Sequence, residues 1–323
     1  MKRIITLDDI IDVYAKLIQR GASFITSKFS LNTTKRTKST FNELNIESSN
    51  WWIIPKVKER WNFLITGNSQ LEYEDFVVKN FLHPTKKLRM LSLGSGICSH
   101  ELKFAELGNF EDILCIDLAE ILLNKAKTSA TKKGLNNINF EIQNINDYTF
   151  PKNYFDIVFF HASLHHFKNL DNLLGFKVKQ TLKKDGKLII NEYVGANRLQ
   201  FPNHQIRAIN KSLKFIPQKY RKRYKLNFYK NKVYGSGLLR MIIADPSECI
   251  ESENIMPTIK KYYTTIFEAN YGGNILMSTL KDLAHHFIEI NDEKENILKQ
   301  LFEFEDNYLT KYSSDFVFGI YKN

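Results

Sequence analysis

Residues 91–117 read LSLGSGICSHELKFAELGNFEDILCID, and this stretch decides the fold class. The apolar run around Leu91 and Leu93 stops abruptly at Gly94-Ser95-Gly96. From His100 to Leu107 the apolar spacing is helical, and Ile113, Leu114, Cys115 and Ile116 form a second short apolar run ending at Asp117. Strand, glycine turn, helix, strand and acid, in that order, describe a βαβ unit that holds a nucleoside-like ligand at the carboxyl ends of its strands. Gly94 and Gly96 permit backbone angles and a close approach that a side chain would forbid. Asp117 follows Gly94 by 23 residues, where its carboxylate can accept hydrogen bonds from two ribose hydroxyls.

The following segments separate two cofactor classes. A dinucleotide fold wants Gly-x-Gly-x-x-Gly, and here the third glycine position holds Ser99. Residues 140–150 (FEIQNINDYTF), 154–166 (YFDIVFFHASLHH) and 182–194 (LKKDGKLIINEYV) then supply further apolar strands, a His-His loop and a Lys-Lys-Asp-Gly turn. This pattern, over roughly residues 88–195, resembles class I S-adenosylmethionine-dependent methyltransferases. The resemblance implies an α/β fold, a seven-stranded doubly wound Rossmann-like sheet. It also implies S-adenosylmethionine as cofactor. The family usually has an acid where Ser92 stands and a third glycine where Cys98 stands. By the resemblance, Gly94, Ser95 and Gly96 line the methionine part of the cofactor, and Asp117 and Leu118 its ribose. Asn144 stands where an acceptor faces the adenine amino group, Ile145 offers a backbone N–H and an apolar edge, and His161 lies beside the methyl group.

Four regions are expected: an N-terminal helical cap (1–85), the cofactor-binding core (86–194), a basic helical insert or lid (195–263), and strands and helices that complete the sheet (264–323). In the cap, helical periodicity lapses around 32–49. The apolar cluster at 51–55, WWIIP, serves either as core or as a wall of the active-site mouth. The start MKRIITLDDIIDVYAKLI carries Asp8, Asp9 and Asp12 inside its apolar pattern, so it reads as an amphipathic helix and not a signal peptide. No apolar run approaches the ~20 residues that cross a bilayer. Cys98, Cys115 and Cys249 are widely spaced, which fits buried thiols of a reducing, cytoplasmic compartment.

The 323-residue chain carries a net charge of +11, and its distribution is more informative than its total. Residues 193–244 contain no Asp or Glu and twelve Lys or Arg, so this one segment accounts for the whole basic excess. Its centre, FIPQKYRKRYKLNFYKNKVY, interleaves Tyr and Phe with the cations. Such a segment is either a solvated basic helix or a surface for an anionic acceptor, an acidic membrane face or nucleic acid.

Methyl transfer from a sulfonium is an in-line displacement, so the protein aligns the partners and, for a hydroxyl acceptor, removes a proton. His165, His166 and Glu192 are the candidates for that proton, with His165 preferred. Tyr193 and Arg198 are candidates for contact with the acceptor; Arg198 could pair bidentately with a phosphate or carboxylate. No Asn/Asp-Pro-Pro-Tyr/Phe motif or Cys-Pro pair is present, which disfavours nucleic-acid base methylation. The only plausible metal ligands are the loop histidines, which have no matched acidic pair, so no metal is expected. The reading is O-methylation of a small or glycan-type anionic acceptor. An RNA-directed enzyme and a non-catalytic S-adenosylmethionine-binding scaffold are the alternatives.

Overall fold

The computed structural model describes residues 2–20, 49–84, 86–107 and 110–323. The expected lapse in periodicity at 32–49 lies almost wholly outside the described residues. Seven strands, β1 (Leu88–Leu93), β2 (Phe110–Asp117), β3 (Ile138–Ile142), β4 (Phe155–His161), β5 (Leu182–Tyr193), β6 (Thr264–Gly272) and β7 (Phe316–Lys322), form one sheet. Their order is β3-β2-β1-β4-β5-β7-β6. β1 to β5 pair in parallel, and β7 runs antiparallel to both β5 and β6.

The parallel strands read as near-continuous apolar runs because helices cover both faces. Side chains alternate across the sheet with period two. Met90, Ile157, Phe159 and Ile189 enter one core with Val77 and Phe104. Leu91, Val158, Phe160 and Ile190 enter the other with Leu174 and Ile259. The order reverses between β1 and β4, which opens a crevice at their carboxyl ends.

The helices that matter for the site are α1 (Leu7–Arg20), α2 (Pro55–Thr66), α3 (Tyr73–Phe81), α4 (Ser99–Glu106), α5 (Glu120–Lys132), α6 (Asn203–Ser212) and α7 (Leu238–Ala244). The tryptophan pair divides its roles: Trp51 is buried edge-on against Trp61 at 4.6 Å between centroids, whereas Trp52 is exposed. After β6, a short helix at Leu276–Leu280 ends ahead of Asp282, which adopts a φ of 66°.

The basic segment departs most from expectation. Its centre is not a helix: residues 221–237 run irregularly, with a bridge pairing Lys222 and Tyr229. Several of its cations are drawn into the protein. Arg223 is buried and pairs with Asp282. Arg221 donates from Nε to the Ile216 carbonyl. Lys230 is buried and donates to the carbonyls of Ser278 and Lys281, both at 2.6 Å. Long-range acceptors outweigh the local tendency of a Lys/Arg-rich run to form a solvated helix.

Candidate active site

The glycine turn between β1 and α4 builds the first wall. Gly94 has a φ of 73°, and a Cβ there would stand 2.8 Å from that of Ser163, so a side chain at this position is excluded. Gly96, at a φ of 55°, has nothing within 4 Å of where its Cβ would be; that direction is open cavity. Cys98 takes a left-handed φ of 56° at the start of α4, which gives the physical reason a glycine is usual there. Ser92 donates to Glu101 at 2.5 Å, so a buried carboxyl returns to the foot of the turn from the following helix. Burial raises the pKa of Glu101.

Asp117 closes β2. Its carboxylate accepts from the Gly96 N–H at 2.8 Å and the Ala119 N–H at 2.7 Å, which ties the glycine turn to the start of α5. A cavity of about 470 Å³ opens beside it, within the usual range for small-ligand sites. Gly94, Ser95, Gly96, Asp117, Leu118, Asn144, Ile145 and His161 all line this cavity. Four strand ends thus bring together all eight residues named as cofactor candidates. His161, the last residue of β4, hydrogen-bonds through Nδ1 to the Tyr73 hydroxyl at 3.0 Å and packs against His100. Burial, then the neighbouring His100, holds its pKa well below the ordinary histidine value, so it is neutral.

The loop after β4 turns on Glu192. This fully buried carboxylate accepts from the N–H groups of Ser163 and Leu164, each at 2.5 Å, and from His165 Nδ1 at 2.8 Å. Both oxygens of Glu192 are engaged by these three donors, and it does not line the cavity beside Asp117, an arrangement that suits a positioning residue. Burial acts to lower the His165 pKa, but the charge and hydrogen bond of Glu192 outweigh it and raise it. His166, and not His165, lines the cavity. Burial and the adjacent His165 lower the His166 pKa.

Tyr193 and Arg198 both make hydrogen bonds within the protein. The Tyr193 hydroxyl donates to the Ala196 carbonyl, and the ring is buried against His165. Arg198 donates to the carbonyls of Asp245, Pro246 and Glu248, holding the turn at 245–248 against the histidine loop.

That turn carries what the sequence reading missed. Asp245 Oδ1 accepts from the Ser247 N–H and hydroxyl, and Ser247 Oγ hydrogen-bonds with His166 Nδ1 at 3.1 Å. Glu248 lies 3.9 Å from His165 Nε2 and 3.8 Å from His166 Nε2. The acidic partner for the histidine pair thus exists, brought from 82 residues downstream of His166. The three side chains offer donors within 4.8 Å of one another, a set that could hold a divalent cation. The only local signal was the return of acids, Asp245 and Glu248, at the end of the acid-free segment.

A second cavity, of about 400 Å³, lies on the other side of this turn. Asp245 and Glu248 line it, together with α1, Trp52, Phe201 and Lys230, whereas Pro246, Ser247 and His166 line the first.

Against this geometry, the methyltransferase domain family model matches residues 84–305. The chain belongs to the methyltransferase domain family. Methyltransferases of this class use S-adenosylmethionine. The open direction at Gly96, the Asp117 carboxylate and the polar ends of β3 and β4 fit that molecule. The chain is similar to an uncharacterized methyltransferase, YcgJ, of Bacillus subtilis, with 26% identity over 128 residues. That match covers 36% of this chain and about half (49%) of the relative. Similar solved structures include an S-adenosylmethionine-dependent methyltransferase from Mesorhizobium loti, 14% identical, covering 78% of this chain and 98% of that one, with a TM-score of 0.45. Another is phosphoethanolamine N-methyltransferase 2 from Haemonchus contortus, 17% identical, covering 83% of this chain and 56% of that one, with a TM-score of 0.48.

Proposed function

We propose that this methyltransferase transfers a methyl group from S-adenosylmethionine to a hydroxyl of a small or glycan-type acceptor. The observation that carries the reading is the meeting of two cavities at one acid–histidine cluster. The glycine turn, Asp117 and Asn144 would hold the donor in the first cavity, and the acceptor would enter from the second and present its hydroxyl at His166, on the wall of the first. When bound, S-adenosylmethionine supplies an electrophilic methyl group. The chain's own residues align the acceptor and take its proton. His166, neutral at cell pH because of its burial and the charge of His165, is the base this reading assigns. Glu248 faces both imidazoles and stabilises the cation left by proton uptake.

Charge in the second cavity is balanced: Arg240 faces Asp9 and Asp12, Lys281 faces Asp12, and Arg223 faces Asp282. This favours a hydroxyl-rich acceptor, with Trp52 as a stacking surface, over the strongly anionic one that the segment's charge suggests. The test is calorimetry with S-adenosylmethionine, followed by release of S-adenosylhomocysteine against sugars, sugar phosphates and small phenols. Turnover with a hydroxyl acceptor supports the reading. Cofactor binding without turnover in any extract points to a non-catalytic scaffold, and turnover on RNA alone points to a nucleic-acid enzyme.

A further inference from the structure

The helix α1 is built the wrong way round for a surface helix of a globular protein, whose apolar stripe normally faces the core. Its acidic stripe faces inward. Asp8 accepts from the backbone N–H groups of Tyr234 and Gly235, Asp9 from Gly237 N–H and Arg240 Nε, and Asp12 from Lys281 Nζ. Asp9 and Ala15 are buried by this docking. The opposite stripe, Leu7, Ile10, Tyr14, Leu17 and Ile18, is 42–61% exposed, and Ile4 and Ile5 continue it at 57% and 63%. Among the described residues, Phe228 touches this stripe at Tyr14, and the stripe stays largely exposed.

The basic segment lies beside it. Tyr14 packs on Phe228 at 6.4 Å, and Asp8 fixes the backbone at Tyr234. Between these points and just before them, Lys222, Lys225 and Lys232 are exposed, together with the aromatic rings of Tyr229 and Tyr234. α7, held to α1 through Arg240, adds exposed Leu239 and Ile242. Apolar stripe, flanking lysines and tyrosines form the composition of an interfacial membrane helix. No described helix is long and apolar enough to cross a bilayer, so the chemistry is that of lying on a surface.

We propose that the outward face of α1, with the lysine-bearing loop at 221–234, docks on the surface of an anionic phospholipid bilayer. Charge decides the occupant. A second copy seated on this face would bring the exposed Lys222, Lys225 and Lys232 of each copy together, whereas an anionic leaflet attracts each lysine near it. On the functional reading above, the placement gives the docking a purpose: α1 also walls the second cavity, through Asp8, Asp12 and Ala15, so an acceptor carried in the membrane would reach it directly.

The experiment is co-sedimentation of the full chain with phosphatidylcholine vesicles, with or without about one third phosphatidylglycerol, at about 0.1 M salt. Binding is expected to the anionic vesicles and to fall at least about tenfold on pure phosphatidylcholine. Ile10→Asp with Leu17→Asp is expected to abolish it, and Lys222→Glu, Lys225→Glu, Lys232→Glu together to weaken it at least about tenfold. Cofactor affinity, read by calorimetry on the same variants, should be unchanged and reports an intact fold. No binding to anionic vesicles, equal binding to both, or a dimer that Ile10→Asp with Leu17→Asp converts to monomer each overturns the proposal. None of these outcomes touches the methyl-transfer reading, which fails only if the chain binds no cofactor or turns over no acceptor.

Discussion

Glu192 and His165 are joined by a 2.8 Å hydrogen bond that lies wholly inside the protein, and the same carboxylate caps the N–H groups of Ser163 and Leu164. One buried acid at the end of β5 therefore fixes the backbone that lines the cofactor cavity. Glu192→Ala leaves three buried donors without an acceptor and is expected to cost about 3 kcal/mol or more in denaturant unfolding. Glu192→Gln keeps an oxygen for the two amides and is expected to cost about 1–2 kcal/mol. Wild-type stability in the alanine variant, with turnover lost, would mean that Glu192 acts on the substrate after all.

His166 should separate from its neighbour in kinetics. His166→Ala is expected to lower turnover by about 10²–10⁴ while leaving cofactor affinity nearly unchanged. His165→Ala, which strips Glu192 of a partner, should appear mainly as lost stability. Equal turnover in the wild type and His166→Ala would leave methyl transfer to positioning alone.

Asp117 holds both the glycine turn and the start of α5 through two N–H groups. Removing its carboxylate is expected to weaken S-adenosylmethionine binding by about 1.5–3 kcal/mol, or about ten- to over a hundredfold in Kd. Titration calorimetry on Asp117→Ala reads this directly. An unchanged Kd in a folded variant would remove Asp117 from the cofactor site.

Lys230 gives the stability a defined pH dependence. Burial lowers its pKa to about 7. Its two carbonyl partners suit a neutral amine with two N–H donors. Between pH 7 and the ordinary lysine value the unfolded chain binds the extra proton, so this group's contribution is fully present at high pH and is lost as pH falls toward 7. Asp315 acts in the opposite sense below that. Burial raises its pKa to about 7, so stability from this group is present at acid pH and is lost as pH rises through 7. Unfolding free energy measured from pH 7 to 9 is expected to rise less steeply in Lys230→Met than in the wild type. Identical slopes would show that Lys230 is charged in the folded protein.

The βαβ unit at 91–117, the sheet class and the eight residues that meet around the first cavity were legible in the order of the amino acids. Those features are local: strand periodicity, a glycine turn that needs positive φ, and an acid at a strand end are each written within a few residues. Parallel strands then place their carboxyl ends side by side without further instruction. Tertiary structure alone decided the rest. The acid facing His165 and His166 comes from Glu248, and the fate of the basic segment rests on Asp282, Ser278 and Ile216. The pattern of α1 announced an amphipathic helix but not which stripe faces inward. That was settled by backbone N–H groups and cations more than two hundred residues away, which a carboxylate satisfies and an isoleucine cannot.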